Sequence, residues 1–199
     1  MSALSSQIRQ AIAKLDERAD DRDAATEQLN AFKDTCVWAG VRLPESDSCT
    51  LAAEVLRVWQ SLTHGQKPTS GCRLNSAWTK LYALALPDKC VIYDSRVAAA
   101  VTSILDPTME FLSEYPNWQP YANLGTVPGR GGSRPRDVRW KWPNGYRLWP
   151  SQTAANLLCR EVFEELNRQA KTRPDRQKMN DPSPWTLREV EAVLFMEGY

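Results

Sequence analysis

Apolar residues in this chain recur at spacings of three and four in one segment after another, and the strand-like run KCVIY at residues 89–93 is short and isolated. A strand needs partners along its edges, and a five-residue run with none predicts an all-α fold. Ser5 to Ala19 places Ile8, Ile12, Leu15 and Ala19 on one side of a helix. A second helix is expected from about Asp23 to Trp38, stopped by Gly40 as the residue after its end. VRLPESDSC reads as a loop, with Ser48 as the N-cap of TLAAEVLRVWQSL. THGQKPTSGC breaks the pattern again before Asn75 or Ser76 caps AWTKLYALAL, which ends at Pro87-Asp88.

Asp94 stands where an N-cap belongs, ahead of SRVAAAVTSIL, and Pro107 closes that helix. TMEFLSEYPNWQPYANL is a short helix running into a proline-interrupted loop. Residues 125–150 have no helical period and many breakers, so they form one long loop. SQTAANLLCREVFEELNRQAK restores the helical period, and Thr186 with Glu189 forms a capping box for the last helix. At 199 residues the simplest organisation is one domain, 1–199. Within it lie N-terminal helices at 1–64, a central segment at 70–105, a loop at 125–152 and C-terminal helices at 151–199.

Side-chain chemistry narrows the functions available. His64 is the single histidine. Its place in SLTHGQKP suits a helix C-terminus, which rules out serine–histidine or cysteine–histidine relays elsewhere and any multi-histidine metal cage. Five scattered cysteines without a C-x-x-C pair suggest neither a disulfide framework nor a zinc knuckle. No metal or cofactor is expected. DSR at Asp94 lacks nearby carboxylates at the spacing of a metal-dependent nuclease, and Glu110 and Glu114 read as surface residues. No run of about 18 apolar residues exists and the N-terminal residues do not resemble a leader, so a cytoplasmic monomer is expected.

The formal net charge of +1 conceals an asymmetry. Residues 1–64 carry seven Lys/Arg against ten Asp/Glu, whereas residues 125–152 carry Arg130, Arg134, Arg136, Arg139, Lys141 and Arg147 against Asp137 alone. Trp140, Trp142, Tyr146 and Trp149 are interleaved with those cations. A concentrated cationic segment in a near-neutral chain points to a local anionic partner. Cations that hold phosphates, set beside rings that stack on bases, suit nucleic acid.

Lys80 in SAWTK has no acid three or four residues away, so an ordinary helical surface pair is missing. A lysine opening an apolar helix, an apolar extended turn and an aspartate beginning the next helix, VIYDSRV, together resemble the helix-hairpin-helix DNA glycosylases. Within them the likeness is to the oxoguanine-glycosylase-like fold, in a degenerate bacterial branch, and it spans roughly residues 70–105. The hairpin of that family, an L-P-G-x-G-type turn, is replaced here by KPTSGCRLN, and Lys80 precedes Asp94 by 14 positions.

The resemblance implies a helical glycosylase-like fold and excision of a damaged or modified base from double-stranded DNA after base flipping. A hypermodified base of phage DNA, removed in anti-phage defence, falls within that range. It implies Asp94 as the carboxylate that stabilises developing positive charge at the sugar. Lys80 would be an important amine, either attacking C1′ or remaining charged. With no family hairpin, DNA contact falls to the 125–152 cations and to Arg96, itself either a phosphate contact or a partner for the early acids. Trp140, Trp142, Tyr146, Trp149, Trp78 and Tyr93 are the candidates for base stacking or pocket walls. A non-catalytic DNA-binding module of the same fold is the alternative.

Overall fold

The computed structural model describes residues 2–18, 21–42, 45, 47–68, 71–129, 138–172 and 184–198. The protein is helical, and among the described residues β pairing is limited to one isolated bridge, Thr126 to Asn144. The chain forms two compact units, Met1–Ile92 and Tyr93–Tyr199, so the boundary falls inside the segment that carries Lys80 and Asp94.

The first unit contains α1 (Ser2–Glu17), α2 (Arg22–Ala39), α3 (Ser48–Thr63) and α4 (Ser76–Ala85). The apolar stripe read from the sequence is the one that packs: Ile8, Ile12 and Leu15 of α1 are buried with Phe32 of α2 and with Leu51, Val55 and Val58 of α3. Ala19, the last member of the expected α1 stripe, lies outside the described residues. Asp21 caps α2 by accepting the N–H groups of Asp23 and Ala24, and α2 ends at Gly40, whose φ of 62° is left-handed.

The start of α3 differs from expectation by one residue. Asp47, not Ser48, is the N-cap, with its carboxylate accepting the Thr50 N–H at 2.9 Å. His64 sits at the other end of α3, and its Nδ1 donates to the Gln60 carbonyl at 2.7 Å.

α4 is buried all round: every residue from Ala77 to Ala85 is out of solvent, as suits a short helix of small and apolar residues. Asn75 caps it through the N–H groups of Ala77 and Trp78. The segment entering α4 is tied to α3, because the buried carboxylate of Glu54 accepts the Arg73 backbone N–H and, at 2.6 Å, its Nε–H. At the far end of α4, the Ser5 hydroxyl donates to the Leu84 carbonyl at 2.7 Å.

The second unit contains α5 (Ser95–Leu105), the short α6 (Met109–Leu112), α7 (Trp149–Thr172) and α8 (Leu187–Glu197), with 3-10 turns at Asp106–Thr108 and Pro116–Tyr121. α7 begins at Trp149 rather than Ser151, since Pro150 is tolerated in a first turn that needs no N–H from it. Thr186 and Glu189 form the expected capping box of α8. Trp185 and Asn167 exchange two hydrogen bonds, at 2.7 and 2.9 Å, which fasten the entry of α8 to α7.

α8 packs on α5 so closely that Gly198 cannot carry a side chain. A Cβ there would overlap the backbone carbonyl of Arg96 in the first turn of α5. No helix of the described residues is long and apolar enough to cross a membrane.

Candidate functional site

In the first unit, Lys80 is not a solvated lysine: only 6 % of it is exposed, and its Nζ donates to the Ser76 carbonyl one turn back at 3.1 Å. Its charge reaches the Cys36 thiol on α2. Burial pushes that thiol up to about 11, and the Lys80 amine pulls the other way. All five cysteines are free thiols.

Trp78 is fully buried. Its ring lies 5.1 Å from Phe32 and 5.7 Å from Tyr82, with the Arg73 guanidinium 4.7 Å from its centroid. Those neighbours fill the surroundings of the ring, so Trp78 stands as a core residue rather than a surface on which a base stacks. The Thr79 hydroxyl donates to Val91 at 3.3 Å and ties α4 to the extended turn that follows it.

In the second unit, Asp94 caps α5 as its sequence position predicts. Oδ1 accepts the N–H of Arg96 at 3.0 Å and that of Val97 at 3.4 Å, and 7 % of the residue is exposed. The carboxylate therefore faces the positive end of α5 with its orientation fixed by backbone. Arg96, half-buried, lays its guanidinium 4.6 Å over the ring of Phe195 from α8. Tyr93 is a structural residue. Its hydroxyl donates to the Gly125 carbonyl at 2.6 Å and accepts the Gly125 N–H at 3.2 Å, and burial pushes its pKa well above the ordinary phenol value.

Gly125 is also the entrance to the basic loop. Thr126 donates its N–H to Pro143 at 2.9 Å and accepts that of Gly145 at 2.8 Å, so the loop leaves and re-enters the unit through a narrow neck. A side chain on Gly125 would overlap the Pro143 carbonyl, which makes glycine obligatory for this closure.

The descending arm is held by Asp106 at the C-terminal end of α5. Its carboxylate accepts the N–H of Arg139 at 2.7 Å, that of Trp140 at 3.0 Å and the indole N–H of Trp142 at 2.9 Å. Thus the two ends of α5 grip the two ends of one loop: Tyr93 holds Gly125, and Asp106 holds Arg139 to Trp142.

Sequence reasoning missed Asp106, though one signal was present. An acid at a helix C-terminus opposes the helix dipole and needs donors from elsewhere. Desolvation pushes the Asp106 carboxyl up, but the Arg139 and Trp142 hydrogen bonds and that of Trp140 outweigh it and hold it below its ordinary value of 3.8. The anchoring is therefore fully present above about pH 4, where the carboxylate is ionised both folded and unfolded, and it fades as pH falls through the depressed folded value. In an NMR titration the Trp142 indole proton is expected to shift with a midpoint below 3.8. A midpoint at or above that value, or the same titration in Asp106→Asn, would show that the carboxylate does not hold the arm.

Among the remaining candidates, Arg139 and Lys141 are exposed on this arm, with Trp140 and Trp142 half-buried beside them. Arg147 is exposed, and its guanidinium lies 4.9 Å from the Tyr146 ring. Trp149 is buried at the start of α7. Arg130, Arg134 and Arg136 lie outside the described residues.

A buried polar run on α7, Ser151, Gln152 and Asn156, was not anticipated from the sequence; the Gln152 side chain donates to that of Asn156 at 2.9 Å. Among the described residues no group of three or more His, Cys, Asp or Glu could hold a metal ion.

The chain matches no protein-family model, no curated protein and no solved structure. What the two units offer chemically is a buried amine on α4, a backbone-fixed carboxylate at the head of α5, and a tethered loop bearing exposed cations and rings.

Proposed function

We propose that the protein is a DNA glycosylase of the helix-hairpin-helix superfamily with an oxoguanine-glycosylase-like fold. It would act as a cytoplasmic monomer on double-stranded DNA and release a damaged or modified base, including a hypermodified base of phage DNA. The observation that carries this reading is Asp94: an acid almost withdrawn from water, its orientation set by the first turn of α5.

Breaking an N-glycosidic bond sends the bonding electron pair to the base and leaves positive charge on the sugar, as in other reactions with oxocarbenium-like transition states. A carboxylate fixed in advance stabilises that charge without having to reorganise. In the hydrolytic course water adds to C1′, the base leaves with a proton, and an abasic site remains. In the lyase course the Lys80 amine would form the new bond to C1′ in place of water, giving up a proton as the base leaves. Extruding the base costs a few kcal/mol. Arg139 and Lys141 are assigned to phosphates, and Trp140 and Trp142 to bases.

A second reading, a non-catalytic DNA-binding module of this fold, is favoured by one observation: the Asp94 hydrogen bonds are those any helix cap makes.

The two readings separate in one experiment. Oxidised, alkylated, deaminated and hypermodified duplexes are incubated with the protein and treated with hot alkali, and free base is identified by mass spectrometry. Base release from one class establishes the enzyme. Intact strands throughout, with salt-dependent DNA binding retained, would leave the binding module. Borohydride trapping that yields a covalent adduct lost in Lys80→Ala would assign the lyase course.

A further inference from the structure

Arg147 is the single non-glycine residue with positive φ among the described residues, at 62°. A side chain is strained there, and glycine or asparagine would relieve the strain. The turn itself has other supports. Asn144 accepts the Tyr146 N–H at 2.9 Å, Gly145 bonds back to Thr126 across the neck, and the Leu148 N–H reaches the Gly145 carbonyl at 3.3 Å. None of these bonds uses the arginine side chain.

That side chain is exposed, is paired with no carboxylate among the described residues, and lies over the half-buried Tyr146 ring. The fold thus keeps a strained backbone at a position where the one distinctive product is a guanidinium laid across an aromatic ring. Observed strain of this kind is a pointer to use of the side chain.

We infer that Arg147 and Tyr146 form a stacking clamp for an unpaired nucleotide, an inference that rests on the nucleic-acid reading above. Contact with a duplex phosphate needs only an extended cation, which Arg139 and Lys141 provide. A guanidinium spread over a ring offers something else: a planar surface on which a base can stack, and N–H donors on its rim for the adjoining phosphate. A base can stack there only when it has left the helix. The clamp therefore discriminates for a bulged, flipped or single-stranded nucleotide over intact duplex.

The test uses the full chain, fluorescence anisotropy and three labelled DNAs: an intact duplex, the same duplex with one bulged nucleotide, and a single strand. Arg147→Gly is expected to unfold at the same or a higher temperature, because it removes the strain. It should bind intact duplex within about twofold of the unsubstituted protein and lose about tenfold on the bulged duplex and the single strand, the scale of one lost stacking contact. Tyr146→Leu, which leaves Arg147 in place, should show the same selective loss.

Equal losses on all three DNAs would reduce Arg147 to a plain phosphate contact and overturn the clamp. Unchanged affinity for the bulged DNA would overturn it as well, while leaving the glycosylase proposal standing. An unsubstituted protein that bound none of the three would overturn the nucleic-acid reading and the clamp with it.

Discussion

Asp94→Asn is expected to leave the protein folded and to slow base release by about a hundredfold to a thousandfold. Asparagine is about as good an N-cap as aspartate, so its side-chain oxygen can still accept the Arg96 and Val97 N–H groups. The change in unfolding free energy should stay within about 1 kcal/mol. What asparagine lacks is the charge. Removing a preorganised electrostatic partner of a transition state costs on the order of a hundredfold to a thousandfold in rate.

Asp94→Ala is the control that removes cap and charge together, and it should add a stability loss of about 1 kcal/mol. The decisive pattern is Asn stable and slowed. Single-turnover release of base at an undiminished rate by Asp94→Asn would mean that the carboxylate does no chemistry and serves α5 alone.

The largest stability effect is expected in the first unit. Glu54→Ala should lower the unfolding free energy by about 3 kcal/mol, the lower end for breaking a buried ion pair, since the Arg73 side chain keeps 38 % of its exposure. The loss has two parts. The Arg73 backbone N–H loses its acceptor, and its guanidinium, packed over Trp78, loses its counter-charge. Glu54→Gln retains an acceptor for one of these donors and should fall between alanine and the unsubstituted chain.

Urea unfolding of the three proteins measures this directly. A loss below about 1 kcal/mol for alanine would place the pair among surface bridges of little consequence. Because Arg73 precedes the cap of α4, Glu54→Ala should also raise amide hydrogen exchange in the first turn of that helix.

How legible these features were depended on their range along the chain. The helices, the Asp94 cap and the Thr186–Glu189 box were legible because each is set by residues within one or two turns, and the α4 cap narrows to Asn75 or Ser76, of which the structure takes Asn75. The displacement of the α3 cap from Ser48 to Asp47 is a contest between adjacent acceptors that local pattern does not decide.

Other features depend on distant partners. Lys80 reads locally as a lysine with no acid one turn away in an apolar helix, and nothing around SAWTK says that α4 is enclosed on every side. Tyr93 reads as a ring with a spare hydroxyl, whereas a glycine 32 residues later takes both its donor and its acceptor capacity. Gly198 has an ordinary φ of −81°, so its need to be glycine comes entirely from the Arg96 carbonyl against it. The basic aromatic character of 125–152 was plain, but not which residues are tied down: Trp142 is committed to Asp106 and Trp149 to the second unit's interior, while Arg139, Lys141 and Arg147 face solvent.

The closure at Thr126 and Gly145 has an evolutionary consequence. Since main-chain groups seal it, with a tyrosine and an aspartate securing its flanks, the closure itself asks nothing of the residues between Thr126 and the Asp106-held arm that begins at Arg139. That stretch can change length cheaply, because each doubling of a loop's length adds only about 0.6 kcal/mol. Chains sharing this scaffold should therefore diverge fastest there, and transplanting the segment between them should transfer target preference as an interchangeable cassette.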